Sequence, residues 1–369
     1  MNLNPIINNF QRPIRKVQIC CILIFSCAAC SLNIPYENQY SDPDAITTVT
    51  AARELLASAY DAIPKPEFSL SVLSDDFQPT FLINLNADLN NLYKWHPKPM
   101  EDLSNSLWER YYSAIAIANT VLERIHYVSP ISDSDKQELQ CIVSEAKTLK
   151  AYCYFNLLRL FAPTYPEGPE KDGIILKERF ELAFLKRSSI SECVNAIRQL
   201  LTEAVTVDNR PSQVYWFSRQ SAYYLLAALE LYAENYYKAE EYALKILSST
   251  NAYDVLAPVH YKKLWEQEPC EECIFSLHTT NSYYTDMNYE RKKGDYFTIN
   301  STLTQLYAAN DIRYEATVYP QEMPGESIGE ILPVLYLGKY NKQNWNYKPI
   351  QYINCLLYTS DAADEARSV

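Results

Sequence analysis

Glycine is scarce, with only 6 residues in a chain of 369. Phosphate-cradling loops such as GxGxxG and the P-loop need glycine for tight turns and close backbone approach, and neither pattern occurs. Nucleotide binding of that kind is excluded. Positive charge is also short: 33 Lys and Arg face 45 Asp and Glu, a formal net charge of −12, with no basic stripe to offset it. Nucleic-acid binding draws most of its affinity from cations that neutralise phosphates, so the composition argues against such a partner. Histidine occurs 4 times, at His96, His126, His260 and His278, with neither metal-ligand nor triad spacing. The apolar run Val17 to Phe25 falls well short of the about 20 residues that a spanning helix requires.

What is present is ordinary globular material, 48% hydrophobic and 21% charged, in a chain long enough for a packed core. Tyrosine is the exception, at 31 residues. Its flat apolar face and hydrogen-bonding tip suit half-wet binding surfaces, although any single tyrosine more often lines a helix contact.

The N-terminus has the order of an export signal. Arg12, Arg15 and Lys16 precede Val17 to Phe25, and the small residues Ser26, Ala28 and Ala29 follow. Cys30, directly after Ala28-Ala29, resembles the lipobox of bacterial lipoproteins, with Cys27 standing where an aliphatic residue is usual. Lipid chains on Cys30 would anchor the protein, each buried CH₂ contributing about 0.8 kcal/mol. A zinc site at Cys27 and Cys30 lacks two further ligands nearby, and a redox pair lacks its βαβ setting. Residues 1–29 are therefore expected to be the signal peptide and residues 30–46 a polar tether. Cys20 and Cys21 lie within the signal. Cys141, Cys153 and Cys193 fall in helical patterns as small buried residues, and no metal site is expected. Cys270 and Cys273 form an isolated CxxC, open to a disulfide in an exported protein.

The body reads mostly as helix. Thr47 to Ile63 carries apolar residues at helical spacing until Pro64 stops it. Phe68 to Pro99 is Asn-rich, punctuated by Pro79, Pro97 and Pro99, and reads as irregular. Ser104 to Ile125 and Asp133 to Phe161 are long amphipathic helices. Ser189-Ile-Ser-Glu192 is a capping box ahead of a helix through Ala204. Ser218 to Thr250 contains two helical segments hinged near Glu234-Asn235, in a pattern similar to a tetratricopeptide repeat. One such repeat cannot bury its own face and needs neighbouring helix pairs. Beyond these, Cys273 to His278 reads as a strand, Ser301 to Tyr307 as helix and Val334 to Tyr340 as extended chain.

Taken in order, several segments resemble the SusD/RagB family of outer-membrane glycan-binding lipoproteins. They are Cys30 with its tether, "ARELLASAYDAI", and "LWERYYSAIAIANTVLERI" with Tyr111, Tyr112, Ile115 and Asn119. Further along come "EAKTLKAYCYFNLLRLFAPTYP", with Lys150 where arginine is usual, "RSSISECVNAIRQLLTEA", and Asp311-Ile-Arg313. The resemblance implies a mostly α fold, a helical body of tetratricopeptide-like pairs over residues 47–354 with irregular loop and short-strand insertions. It also implies a surface lipoprotein, anchored in the outer membrane, that binds glycan and passes it to a TonB-dependent SusC-like transporter. Family platforms correspond here to Asn90 to His96 and to Ser282 to Tyr296. Trp95 and Tyr93 are the expected stacking residues, with Tyr283, Tyr284 and Tyr289 as partners and Asn90, Asn91 and Asn288 as hydrogen-bonding groups. The competing reading is a lipid-anchored helical-repeat scaffold for a protein or peptide.

Catalysis finds little support, and no cofactor is expected. Asp75-Asp76 is the only adjacent Asp pair in the body, and adjacency does not give the spaced carboxyls that acid–base hydrolysis needs. At the far end, Cys355 to Ser360 can be encoded by TGT CTC TTA TAC ACA TCT, which looks like a transposon end used in sequencing adapters. Residues 355–369 are therefore expected to be non-native, and the helical domain over 47–354 to be incomplete, with the native chain continuing.

Overall fold

The computed structural model describes residues 46–74, 76–179, 183–265, 270–277, 296–327, 329–337, 347–351, 354–355 and 359. Helix α1 (Val49–Ala62) begins where Thr48 Oγ1 accepts from the Ala51 N–H at 3.1 Å, and ends before Pro64. Then follow α2 (Glu67–Leu73), β1 (Phe77–Pro79), a 3₁₀ turn over Phe81–Leu85, and α3 (Ala87–Tyr93). The long antiparallel neighbours α4 (Pro97–Arg124) and α5 (Asp133–Phe161) come next, then α6 (Ile190–Ala204), α7 (Arg219–Tyr232) and α8 (Tyr236–Leu247).

Sequence and structure agree closely over this body. The capping box at Ser189 and Glu192 is made in both directions, at 3.2 and 2.7 Å, and starts α6. The hinge between α7 and α8 falls at Glu234, whose φ of 59° turns the chain so that α8 packs back on α7. One expectation fails. Residues 68–99 are not irregular: they hold α2, β1, α3 and the first turn of α4. Pro97 and Pro99 open α4 instead of breaking it, because the first turn of a helix has no use for their missing N–H groups.

Helix α5 is the spine. Residues 148–158 are buried without interruption, so this stretch is enclosed on every side, as a central helix must be. α4 and α6 flank it, and α1 packs against both α4 and α5. Across α4 and α5 lies an extended segment, residues 173–178, fastened by two tyrosines. The Tyr112 hydroxyl donates to the Ile175 carbonyl at 2.8 Å and accepts from the Ile175 N–H at 2.9 Å. Tyr154 does the same with Lys177, at 2.7 Å in both directions, and Asn119 Nδ2 donates to the Lys177 carbonyl at 3.0 Å. Burial pushes both phenols well up, so they remain protonated donors. Beside them Lys150 is buried, its Nζ 5.7 Å from the Tyr154 ring centre. Burial lowers its ammonium to about 8, against partial support from Glu178 and Glu123.

After α8 the elements shorten: α9 (Ala252–Val255), α10 (Pro258–Leu264), β2 (Cys273–Leu277), β3 (Phe297–Ile299), α11 (Ser301–Thr304) and α12 (Ile312–Thr317). β4 (Val318–Pro324), β5 (Ile331–Leu337) and β6 (Tyr347–Gln351) follow. The strands form antiparallel pairs, β1 with β3, β2 with β6 and β4 with β5. The helix expected over residues 301–307 is the short α11, and the extended stretch expected from Val334 begins earlier, at Ile331. Cys270 and Cys273 are separate thiols. They form no disulfide, and Cys270 Sγ donates to the His260 carbonyl at 2.9 Å. Cys153 and Cys193 are buried as expected, whereas Cys141 is only half-buried. Cys355 lies buried against the helical core.

Candidate functional site

Helix α3 carries the first of the two expected platforms. Asn86 Oδ1 accepts from the Leu89 N–H at 3.1 Å and so starts the helix. At its end the Trp95 and His96 N–H groups fold back onto the Leu92 and Asn91 carbonyls, both at 2.9 Å. That reversal requires Trp95 to take φ 57°, the left-handed region in which glycine or asparagine is usual. A side chain there costs about 1–2 kcal/mol. The indole it supports is 60% exposed, so neither packing nor backbone preference accounts for it. Strain of this kind concentrates where a side chain must be presented.

The neighbouring residues anchor this presentation. Tyr93 is half-buried with its ring centre 5.9 Å from that of Phe297, which stacks on Phe77 at 5.6 Å. Phe68 completes the group at 6.3 and 6.4 Å from the same two rings. Tyr93 therefore pins α3 to the β1–β3 pair more than it offers a free face. Asn90 and Asn91 are half-buried on the same helix, and Asn90 Nδ2 makes a long 3.4 Å bond to Asn84 Oδ1. Tyr283, Tyr284, Asn288 and Tyr289 lie outside the described residues, as does Cys30. The exit of their segment is nevertheless placed. The Tyr296 carbonyl accepts from the Thr80 N–H at 2.9 Å, and Phe77 pairs with Ile299, so residues 296–299 run alongside the lead-in to α3.

Next to this junction a groove of about 440 Å³ opens between the β1–β3 pair and the β4–β5 hairpin. Gln78, Thr298 and Ser301 give it polar edges, and Pro320, Pro333 and Val334 an apolar wall. Sequence reading missed it, since its sides come from chain segments more than 200 residues apart, as the Thr298–Gln78 contact at a separation of 220 shows. No local motif could signal it. Among the described residues no group of His, Cys, Asp and Glu is arranged to hold a metal ion. No helix among them is long and apolar enough to cross a membrane. Asp76 is exposed at a turn, its N–H donating to Ser74 Oγ at 3.2 Å, while Asp75 and His278 lie outside the described residues.

Residues 35–231 match the SusD-like family model described as starch-binding and associating with the outer membrane. Among curated proteins, none matches the sequence. Solved structures share the architecture. A SusD-like carbohydrate-binding protein from Bacteroides vulgatus superposes with a TM-score of 0.71 at 15% identity, covering 87% of this chain and 72% of that one. A laminarin-binding SusD-like protein gives 0.67 at 20% identity, with coverages of 86% and 80%. The surface glycan-binding protein A from Bacteroides thetaiotaomicron, solved with laminarihexaose, gives 0.65 at 15% identity, with coverages of 86% and 79%. At these identities the likeness is one of fold.

Proposed function

The chain belongs to the SusD-like family, matched over residues 35–231, and on that premise we propose that it binds oligosaccharide or polysaccharide at the cell surface without transforming it. Attachment to the outer membrane through Cys30, and delivery of the glycan to a TonB-dependent SusC-like transporter, are parts of the same proposal. The observation that carries the binding role is Trp95, an indole 60% exposed on a left-handed residue at the end of α3. Sugar rings present apolar C–H faces that stack on aromatic faces, while their hydroxyls pair with amide tips. Asn91 and Asn90 stand four and five residues before the indole, about one helical turn, for that purpose, and Tyr283, Tyr284, Asn288 and Tyr289 are the proposed contributions from the second segment. A neutral glycan asks for no positive charge, which suits a chain of net charge −12. The neighbours named for laminarin and laminarihexaose lend support through their shared architecture.

Affinity electrophoresis of the full chain through gels containing laminarin or soluble starch tests this reading. Retardation by at least one polysaccharide is expected, and Trp95→Ala should lose it while keeping the helical circular dichroism of the parent. Equal migration with and without every polysaccharide, or retardation that Trp95→Ala leaves intact, would overturn it.

A further inference from the structure

The helical body holds a second cavity, a cleft of about 570 Å³ enclosed by α1, the first half of α5 and the loop between α6 and α7. It shares no lining residue with the Trp95 region. Its floor is Arg53, whose guanidinium lies 5.0 Å from the centre of the Trp216 ring. Arg53 donates twice to Oε1 of Glu138, at 2.9 and 2.6 Å, and once to Oε2 of Glu145, at 2.8 Å. Glu145 is buried and also receives the Tyr60 hydroxyl at 3.2 Å and Asn209 Nδ2 at 3.3 Å. The floor is thus a closed network, held in one geometry by its own bonds.

The rim differs. Both Arg53 bonds to Glu138 fall on Oε1, which leaves Oε2 with no hydrogen bond among the described residues. Asp208 takes Arg210 Nε at 3.0 Å and Arg219 Nη1 at 3.1 Å, both on Oδ1, which leaves Oδ2 with no hydrogen bond among the described residues. The Gln137 and Ser212 side chains are exposed on the lining and form no hydrogen bond among the described residues. Unused donors and acceptors therefore mingle round the mouth, on hydroxyl, amide and carboxylate groups. The charges nearly cancel, Arg53 and Arg210 against Glu138, Glu145 and Asp208. An ammonium ligand would only donate here, and a phosphate would mostly accept; a hydroxyl does both. The volume lies within the range of small-molecule sites, roughly 300–1,000 Å³.

We propose that this cleft is a second saccharide site, taking a stretch of one to three neutral sugar units with hydroxyl contacts to Gln137, Glu138, Asp208 and Ser212. The proposal rests on the glycan-binding reading but not on the Trp95 platform. Isothermal titration of the full chain with maltotriose and with laminaritriose, in the parent and in Trp95→Ala, separates the two. The Trp95→Ala chain should retain weak binding to one of the trisaccharides. Adding Ser212→Trp, which fills the mouth from an exposed position, should abolish it. Adding Gln137→Ala instead should weaken it about 2- to 10-fold, the effect of one hydrogen bond. If the parent binds and Trp95→Ala does not bind at all, the second site is refuted and the glycan reading stands. If the parent binds neither trisaccharide nor any polysaccharide, both fall. Binding of a tri-arginine peptide that Ser212→Trp removes, with no saccharide bound there, would also overturn the proposal in favour of a basic peptide.

Discussion

The helical body and the aromatic cluster beside α3 are held together by different means. In the body, successive helices pack on their chain neighbours, and capping boxes at Ser132, Ser189 and Ser218 fix where three of them begin. Its interior is a continuous apolar mass around α5. The cluster is smaller and built from distant pieces: Val72, Phe77, Ile83 and Leu92 from one end, Leu264, Trp265, Phe297 and Ala316 from the other. Three-residue strands and ring contacts close it. Phe275 and Cys355 join the body's core from further along the chain, but its helix-on-helix packing can form before they arrive, whereas the cluster must first meet the entropic cost of closing a long loop. The proposed Trp95 platform therefore stands on the part of the molecule with the thinner support.

That contrast can be broken or sharpened by substitution. The largest effect is expected for Leu149→Ala, fully buried in α5, which should cost about 4 kcal/mol in denaturant unfolding through lost burial and a cavity. Phe297→Ala should cost about 3 kcal/mol, but locally. Amide exchange should quicken at residues 77–80 and around Trp95 while α5 keeps its protection. Equal loss of protection in α5 would show that body and cluster are one cooperative unit.

Lys150→Met should act in the opposite direction. The folded-state ammonium titrates at about 8, below its ordinary 10.5, so the folded chain binds fewer protons than the unfolded chain between those values. Stability from this group rises with pH across that window, and the burial penalty is fully present below it. The substitution should therefore add about 2 kcal/mol at pH 7, an advantage that shrinks by pH 9.5. A gain that is the same at both pH values would refute burial of charge as its cause. Ser189→Ala, which removes the cap of α6, should have the smallest effect, about 1 kcal/mol in the same unfolding measurement.

The body was largely legible because its signals are local. Asp133 to Phe161 matches α5 from end to end, and the Glu234-Asn235 hinge falls between α7 and α8. Residues 87–93 were misread because asparagines and prolines suggest loops, whereas Asn86 serves as a cap and Pro97 as a helix opener. Trp95 could be nominated as an exposed aromatic, but its left-handed backbone could not, since tryptophan is an improbable choice for that conformation. The cleft at Arg53 was invisible for a plainer reason: Arg53 and Glu138 are 85 positions apart and share no motif. Tyr112 and Tyr154 carried the resemblance, yet their work on residues 173–178 shows only in three dimensions, across 63 and 23 positions.

Those tyrosines have one further consequence. Gly173 and Ile174 pair with Ser188, at 2.7 and 2.8 Å, but beyond them a strand-like segment on a helical surface offers its peptide groups to any passing chain, the usual route to edge-to-edge association. Each phenol meets both the donor and the acceptor of one residue, so Ile175 and Lys177 have no open peptide groups for a stranger to pair with. Phenylalanine at either position would preserve the ring and break the seal. In that sense part of the tyrosine surplus occupies backbone that would otherwise be open, a role separate from recognising any ligand.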